Sequence, residues 1–205
     1  VPSGCVLYLP MDEGVGSKTY DKSGKENDGT IYGNPSWVDG KYGKALDFDG
    51  EDDYIKIPKD LSGGLEAITL IAWVKGEQVA NLFYATNNAF ILHFRGAGFY
   101  LKAEDGTTSG YLNWDTAPPI GEWVFLAATW SNPNVGDGKM RLYINGEKQS
   151  TERYFDGGST GKLASSAYTR IGHYFNDSQP WFKGIIDEVM IFDRALSEDE
   201  IKAIY

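Results

Sequence analysis

The chain has 205 residues, 41% hydrophobic and 14% aromatic, with 25 glycines and a formal net charge of −10. That length suits one all-β domain with a sizeable core, and the acidity excludes a phosphate backbone as a natural partner. It leaves room for a neutral ligand, for carboxylates gathered around Ca²⁺, or simply for a well-solvated surface. The single cysteine, Cys5, excludes an internal disulfide and a cysteine zinc site. No apolar run of about 18 residues is present to insert into a membrane.

Taken in chain order, the periodicity is two almost throughout. The spacing predicts strands over 5–9, 45–49, 54–57, 68–75, 89–94, 98–103, 123–130, 139–144, 147–151, 169–171 and 185–192. Asp-Gly or Asn-Gly pairs punctuate them, most sharply Asn145-Gly146 between two alternating segments, which predicts a tight type I′ hairpin. The stretches 12–34 and 154–167 are polar and glycine-rich and read as irregular loops. Only the end looks helical: Ser197 and Glu200 form a capping-box pattern ahead of Ile201, Ile204 and Tyr205. The opening Val1-Pro2-Ser3-Gly4 carries no signal-peptide pattern, and the chain is expected to be one domain, 1–205, of a larger multidomain protein.

The ordered motifs carry a resemblance. They begin with Leu9-Pro-Met-Asp12-Glu13-Gly14, Asp21-Lys-Ser23-Gly24 and Asn27-Asp28-Gly29. Gly40-Lys-Tyr-Gly43-Lys-Ala45-Leu46-Asp-Phe48-Asp49-Gly50 comes next, then Ala72-Trp73-Val74, Gly121-Glu-Trp123, Ala127-Ala-Thr129-Trp130 and Leu142-Tyr143-Ile144-Asn145-Gly146. The close is Phe182-Lys-Gly184-Ile-Ile186-Asp187-Glu188-Val189 running to Leu196-Ser197. Over nearly its whole length this resembles the laminin-G-like jelly rolls of the concanavalin A-like lectin and glucanase superfamily, and its second half is similar to the pentraxins. The resemblance implies an antiparallel two-sheet β-sandwich, a concanavalin A-like jelly roll, with both chain ends in one sheet and a short C-terminal helix. Trp73, Trp123 and Trp130 sit among apolar strand neighbours and read as core.

The resemblance also implies a structural Ca²⁺. Related endoglucanases of the lichenase and laminarinase type hold one beside a C-terminal aspartate that precedes an alternating strand, as Asp187 does. Asp12 and Asp187 would then converge on one edge, with the Gly50 carbonyl nearby and Asp28 or Asp52 as further ligands. The alternative is that Asp187 bonds backbone amides in a turn. The pentraxin likeness points to a second calcium position at Asn87-Asn88 and Asn176-Asp177, although the first pair is amides only.

Catalysis is not expected. The superfamily's glycosidases use a Glu-x-Asp-x-x-Glu strand, its lyases a Gln-x-His with a Tyr-x-Lys, and neither pattern occurs; a divergent hydrolase or lyase is the outlying alternative. The positive expectation is a non-catalytic, extracellular or virion-surface module that binds a glycan, since sugars stack on aromatic platforms while polar groups fix their hydroxyls. Trp114 and Trp181 are the candidate platforms, with Tyr100, Tyr111, His93, Arg95, Tyr174 and Asn88 as neighbours; each aromatic also admits a plainer role as a strand or loop anchor. Adhesion to an extracellular protein is the alternative binding function. Nucleic acid and membrane insertion are not expected.

Overall fold

The computed structural model describes residues 2–174 and 180–205. Asn176 and Asp177 lie outside the described residues. In chain order the strands are β1 (Cys5–Leu9), β2 (Lys18–Thr19), β3 (Gly29–Tyr32), β4 (Ser36–Asp39), β5 (Lys44–Asp49), β6 (Tyr54–Ile57), β7 (Ala67–Gly76), β8 (Ala80–Ala85) and β9 (Phe90–Phe94). There follow β10 (Phe99–Lys102), β11 (Ser109–Leu112), β12 (Val124–Ser131), β13 (Lys139–Ile144), β14 (Glu147–Lys148), β15 (Arg153–Tyr154), β16 (Thr169–Ile171) and β17 (Lys183–Phe192), and helix α1 (Glu198–Ile204) closes the chain.

The strands form two sheets. The first runs β14-β13-β12-β7-β17-β5-β4, with β1 also on β17 and β15 on β13; the second runs β11-β10-β9-β8-β16-β6-β3-β2. Every pairing among the described strands is antiparallel. The expected jelly-roll sandwich is therefore present, and β1 pairs with β17, which puts the two chain ends side by side.

Alternation explains the core. Leu70, Ala72, Val74, Leu126, Ala128, Trp130, Val189 and Ile191 of the first sheet meet Ile55, Phe83, Phe90, Leu92, Phe94, Phe99 and Ile171 of the second. Each fully buried side chain of this kind contributes about 1.5–3 kcal/mol. Trp130 donates its indole N–H to the Phe155 carbonyl at 2.7 Å, so its polar handle is satisfied inside the core. At Asn145-Gly146 both residues have positive φ, 51° and 77°, as a type I′ hairpin requires.

The two outer faces differ. On the first sheet, Ile71, Trp73, Phe125, Tyr143 and Phe192 form a second cluster with Leu196 and Ile201 of the C-terminal segment. The predicted capping box is in place, with the Ser197 hydroxyl accepting from the Glu200 N–H and the Glu200 carboxylate accepting from the Ser197 N–H. Helix α1 is thereby pinned over that sheet. Among the described residues no α-helix covers the second sheet in this way.

Several segments depart from the expected pattern. The loop expected over 12–34 contains β2 and β3; β4, just beyond it, β8, β11 and β15 had no strand expectation. In β8 all six residues are buried, so no polar alternation marks it. Strands β2, β3 and β4 are short and lie toward sheet edges, where polar side chains are tolerated. The strand expected over 147–151 shortens to Glu147–Lys148.

Candidate functional site

The open face of the second sheet carries a continuous cross-strand row. Backbone register places Tyr111 beside Tyr100, Tyr100 beside Ile91, and Ile91 beside Tyr84. Tyr84 then pairs with Arg170, Arg170 with Lys56, and Lys56 with Thr30. Because side chains alternate across a strand, residues between inward Phe90, Leu92, Phe99, Leu101, Ile55 and Ile171 all point outward together. A parallel set flanks the row: His93 pairs with Asn81, and Tyr54 with Tyr32, whose rings stack at 4.8 Å.

Arg170 is the most constrained group on this face. Its guanidinium lies 4.6 Å from the Tyr54 ring centre and 5.2 Å from that of Tyr168, and Nη1 donates to the Tyr174 carbonyl at 2.9 Å. Nη1 also sits 3.3 Å from His173 Nδ1. Beside it, Tyr84, Asn87, Asn88, Lys102 and Tyr168 line an open cleft of about 380 Å³. The Tyr174 hydroxyl donates to Asn88 Oδ1 at 2.8 Å, which ties the loop after β16 to the turn before β9. His93 is largely desolvated, and burial lowers its pKa to about 4, so it is neutral near pH 7.

Of the residues singled out from the sequence, Tyr100, Tyr111, His93, Tyr174 and Asn88 share this face. Trp181 lies at its other end against His173 and Tyr54. Arg95 donates to the Pro118 carbonyl at 2.7 Å and serves a loop there. Trp114 does not stand exposed in a loop: it is 8% exposed, belongs to the core and donates its indole N–H to the His93 carbonyl. The physical reason is alternation, since Leu112 and Trp114 turn inward while Tyr111, Asn113 and Asp115 turn out. Asp115 instead accepts from Ser150 and Thr151. Sequence reasoning missed Tyr84, Tyr54, Tyr168, Arg170, Lys56 and Lys102. The alternating signal Ile55-Lys56-Ile57 and Thr169-Arg170-Ile171 marked two of them as outward, but nothing local showed that they were neighbours.

The acidic edge is a separate feature. Strand β17 changes partner midway: Lys183–Ile186 pairs with β5, while Val189–Phe192 pairs with β1. At the change there is a bulge, with Glu188 at φ 52°. Asp187 is fully buried there, and its Oδ2 accepts from the Lys41 and Tyr42 N–H groups at 2.9 and 3.1 Å. Its Oδ1 accepts from the Glu188 N–H. Asp12 accepts from the Lys44 N–H at 2.8 Å, so both aspartates clasp the same 40–44 turn. Burial raises the Asp187 pKa to about 7, an effect that amide donation from Tyr42 opposes and the charge of Glu188 reinforces. Glu188 is raised too, first by burial, and accepts from the Tyr8 hydroxyl at 2.8 Å.

Gly50 does not join this edge. It follows Asp49, which pairs with Lys183, and Asp187 lies four residues further along β17, roughly 13 Å at the usual strand rise. It sits instead in the turn holding Asp49, Asp52 and Asp53, whose carboxylate oxygens lie within 4.8 Å of one another. Asp28 is engaged elsewhere, accepting from the Asp21 N–H. In charge and donor type the edge suits a hard cation, although among the described residues the carboxylates whose oxygens lie within 4.8 Å of one another are Asp49, Asp52 and Asp53, not Asp12, Asp187 and Glu188. None of Asp12, Asp187 and Glu188 has a salt-bridge partner among the described residues, and three N–H bonds leave acceptor capacity on Asp187.

A cleft of about 760 Å³ lies between strand ends around Leu65, Ser131, Asp137, Lys162 and Arg194. It has no aromatic wall, and Arg194 is committed to a two-pronged pair with Glu200. No helix among the described residues is long and apolar enough to cross a membrane.

Comparison with known proteins places the chain. The sequence profile of the family described as the concanavalin A-like lectin/glucanases superfamily (Laminin_G_3) matches residues 49–202. Pentraxin-related protein PTX3 of Mus musculus is 30% identical over 152 residues, which cover 68% of this chain and 39% of that protein. The chain thus spans well under half the length of that relative. Domain 4 of AbnA, an extracellular GH43 arabinanase from Geobacillus stearothermophilus solved with arabinotriose, superposes with a TM-score of 0.75 at 24% identity, covering 98% of this chain and 97% of that domain. The ligand binding domain of botulinum neurotoxin serotype D, solved with N-acetylneuraminic acid, gives 0.72 at 17% identity, covering 98% and 50%. The profile match extends over most of the sandwich, from the end of β5 into α1, and the chain belongs to the laminin-G-like family of the concanavalin A-like lectin/glucanase superfamily.

Proposed function

We propose that this domain is a non-catalytic carbohydrate-binding module of an extracellular or surface protein, and that its glycan lies across the open face of the second sheet. The observation that carries the reading is the outward row from Tyr111 through Tyr100 to Arg170 and Lys56, in which Tyr84 is 3% exposed and packed against the Tyr174 ring. Tyrosine rings offer apolar faces to sugar C–H groups and hydroxyls to their polar rims. Asn88, His93 and Lys102 stand close enough to the row to fix hydroxyl orientation. That domain 4 of the arabinanase and the neurotoxin domain were both solved with saccharides supports the reading by analogy of fold.

The test is a glycan array followed by calorimetry on the hits. Tyr100→Ala and Tyr111→Ala alter outward side chains, so the fold should survive while affinity falls about tenfold, equivalent to about 1.4 kcal/mol. Glycan binding unchanged in both variants would remove the face from consideration. A blank array together with capture of an extracellular protein would replace the glycan reading with adhesion.

A structural Ca²⁺ at the acidic edge is part of the same proposal, held by Asp187, Glu188 and Asp12 and without Gly50. A buried carboxylate, Asp187, beside a half-buried one, Glu188, neither with a cationic partner among the described residues, supports it, because a divalent ion would offset the charge that burial leaves unpaired.

A further inference from the structure

At the side of the sandwich remote from Tyr111 the two sheets part at their edges. Strand β3 lies near the end of the second sheet and β4 ends the first. Between them opens a cleft of about 400 Å³, walled by the side chains of Ser17, Ile31, Tyr32, Asn34, Pro35 and Trp37. Ile31 and Trp37 pair with inward Ile55 and Leu46 and pack against the main core. The cleft is therefore the mouth between the sheets and not a part of the open face. The Trp37 indole N–H donates to the Gly16 carbonyl at 3.2 Å, which fixes the ring and satisfies its polar group. The turn from Tyr32 to Pro35 is pinned by Asp53, 1% exposed, whose Oδ1 accepts from the Asn34 N–H at 2.7 Å. Gly33 has φ 87° in that turn, and a Cβ on it would fall 2.7 Å from Asp53 Cα, so only glycine fits there. Tyr32 remains 42% exposed although its ring stacks on Tyr54 at 4.8 Å.

We propose that this edge cleft is a second binding site, separate from the open face, for a single uncharged sugar residue. No lysine, arginine, aspartate or glutamate is among the residues that line it. The cleft around Leu65, by contrast, carries Asp137, Lys162 and Arg194, and the one before β9 carries Lys102. A lining without charge selects against an ionic ligand, whose desolvation would go uncompensated. Trp37 and Tyr32 offer apolar ring surface to sugar C–H groups. The Ser17 hydroxyl and the Asn34 side-chain amide belong to exposed residues and are bonded to no other described residue. That leaves them to take sugar hydroxyls, in the usual pairing of apolar walls with a few polar groups. Since Trp37 and the turn are already held in place, little further ordering is required on binding. Tyr32 on β3 and Tyr100 on β10 are five strand spacings apart, roughly 24 Å at the usual interval, which is farther than a disaccharide reaches. The site thus goes beyond the open-face reading and does not rest on it.

The experiment follows the indole N–H resonances of the isotope-labelled intact chain during titration with cellobiose, xylobiose, arabinobiose and lactose, with digalacturonate as the charged control. The chain has six tryptophans, and Trp37→Phe identifies the signal of Trp37. At least one neutral disaccharide should shift that signal saturably, and digalacturonate should shift it least. Asn34→Ala and Tyr32→Ala alter exposed side chains, so each should weaken the neutral binding at least tenfold with the melting temperature near wild type. Tyr100→Ala should leave the Trp37 titration unchanged. A Trp37 signal that no neutral disaccharide moves would overturn the site. So would a response equally strong in Asn34→Ala and Tyr32→Ala, or one abolished by Tyr100→Ala. A larger response to digalacturonate would overturn the assignment to uncharged sugars. Failure of the open face, seen as glycan binding indifferent to Tyr100→Ala and Tyr111→Ala, would leave the Trp37 response in place.

Discussion

Trp114 offers the sharpest separation between a ligand platform and a core residue. Its side chain is 8% exposed, packs within the main cluster and donates to the His93 carbonyl at 3.2 Å. Truncating a buried tryptophan to alanine costs about 3–5 kcal/mol through lost transfer energy and the cavity left behind. For a chain of this length each 1 kcal/mol shifts the melting temperature by about 2–4 °C, so Trp114→Ala should lower it by roughly 6–20 °C. Trp114→Phe keeps much of the volume and mainly forfeits the hydrogen bond, a loss of about 1–3 kcal/mol because a buried carbonyl loses its donor. Urea and thermal unfolding measure both. Glycan affinity of the fraction that remains folded should change much less than in Tyr100→Ala. The reasoning fails if Trp114→Ala melts with the wild type and yet loses binding, for that is the behaviour of an exposed platform.

Two further outcomes follow from the titrating groups. His93 has its pKa lowered by burial to about 4, so its neutral form is favoured in the fold. The stability this confers is complete above the unfolded value near 6.5 and is lost as pH falls from there toward 4. The loss is at most about 3 kcal/mol, and His93→Gln should remove that slope when its stability-against-pH curve is subtracted from wild type. At the acidic edge, Ca²⁺ should raise the melting temperature over EDTA by mass action, and Asp187→Asn should cancel the response; identical wild-type melting curves with and without the ion would dispose of the calcium proposal.

Much of the architecture was legible because it is written locally. Period-two alternation marked β1, β5, β6, β7, β9, β10, β12, β13, β16 and β17, Asn145-Gly146 announced its turn, and Ser197 with Glu200 announced α1. Strand β8 escaped because its outward residues are covered as thoroughly as its inward ones, which erases the polar half of the pattern. Trp114 misled for a related reason: exposed Asn113 and Asp115 on either side mark the loop after β11, yet the burial alternation of that strand runs on through it and turns Trp114 inward. Gly50 was misplaced because distance along a strand pair depends on register, and register between β5 and β17 is not a local property.

By itself, then, the amino-acid order determined the period of the strands, the chemistry of the turns, the capped terminal helix and the superfamily's sandwich, since each depends on residues within a few positions of one another. Only the tertiary structure decided which outward side chains share a face. Tyr84, Arg170 and Lys56 come from remote parts of the chain and meet because β8, β16 and β6 are adjacent in the second sheet. It also decided that Asp12 and Asp187 accept from amides of the same 40–44 turn. Pairing of distant strands is set by the summed burial of the whole core, so a site assembled across strands becomes visible only when the sheet order is known.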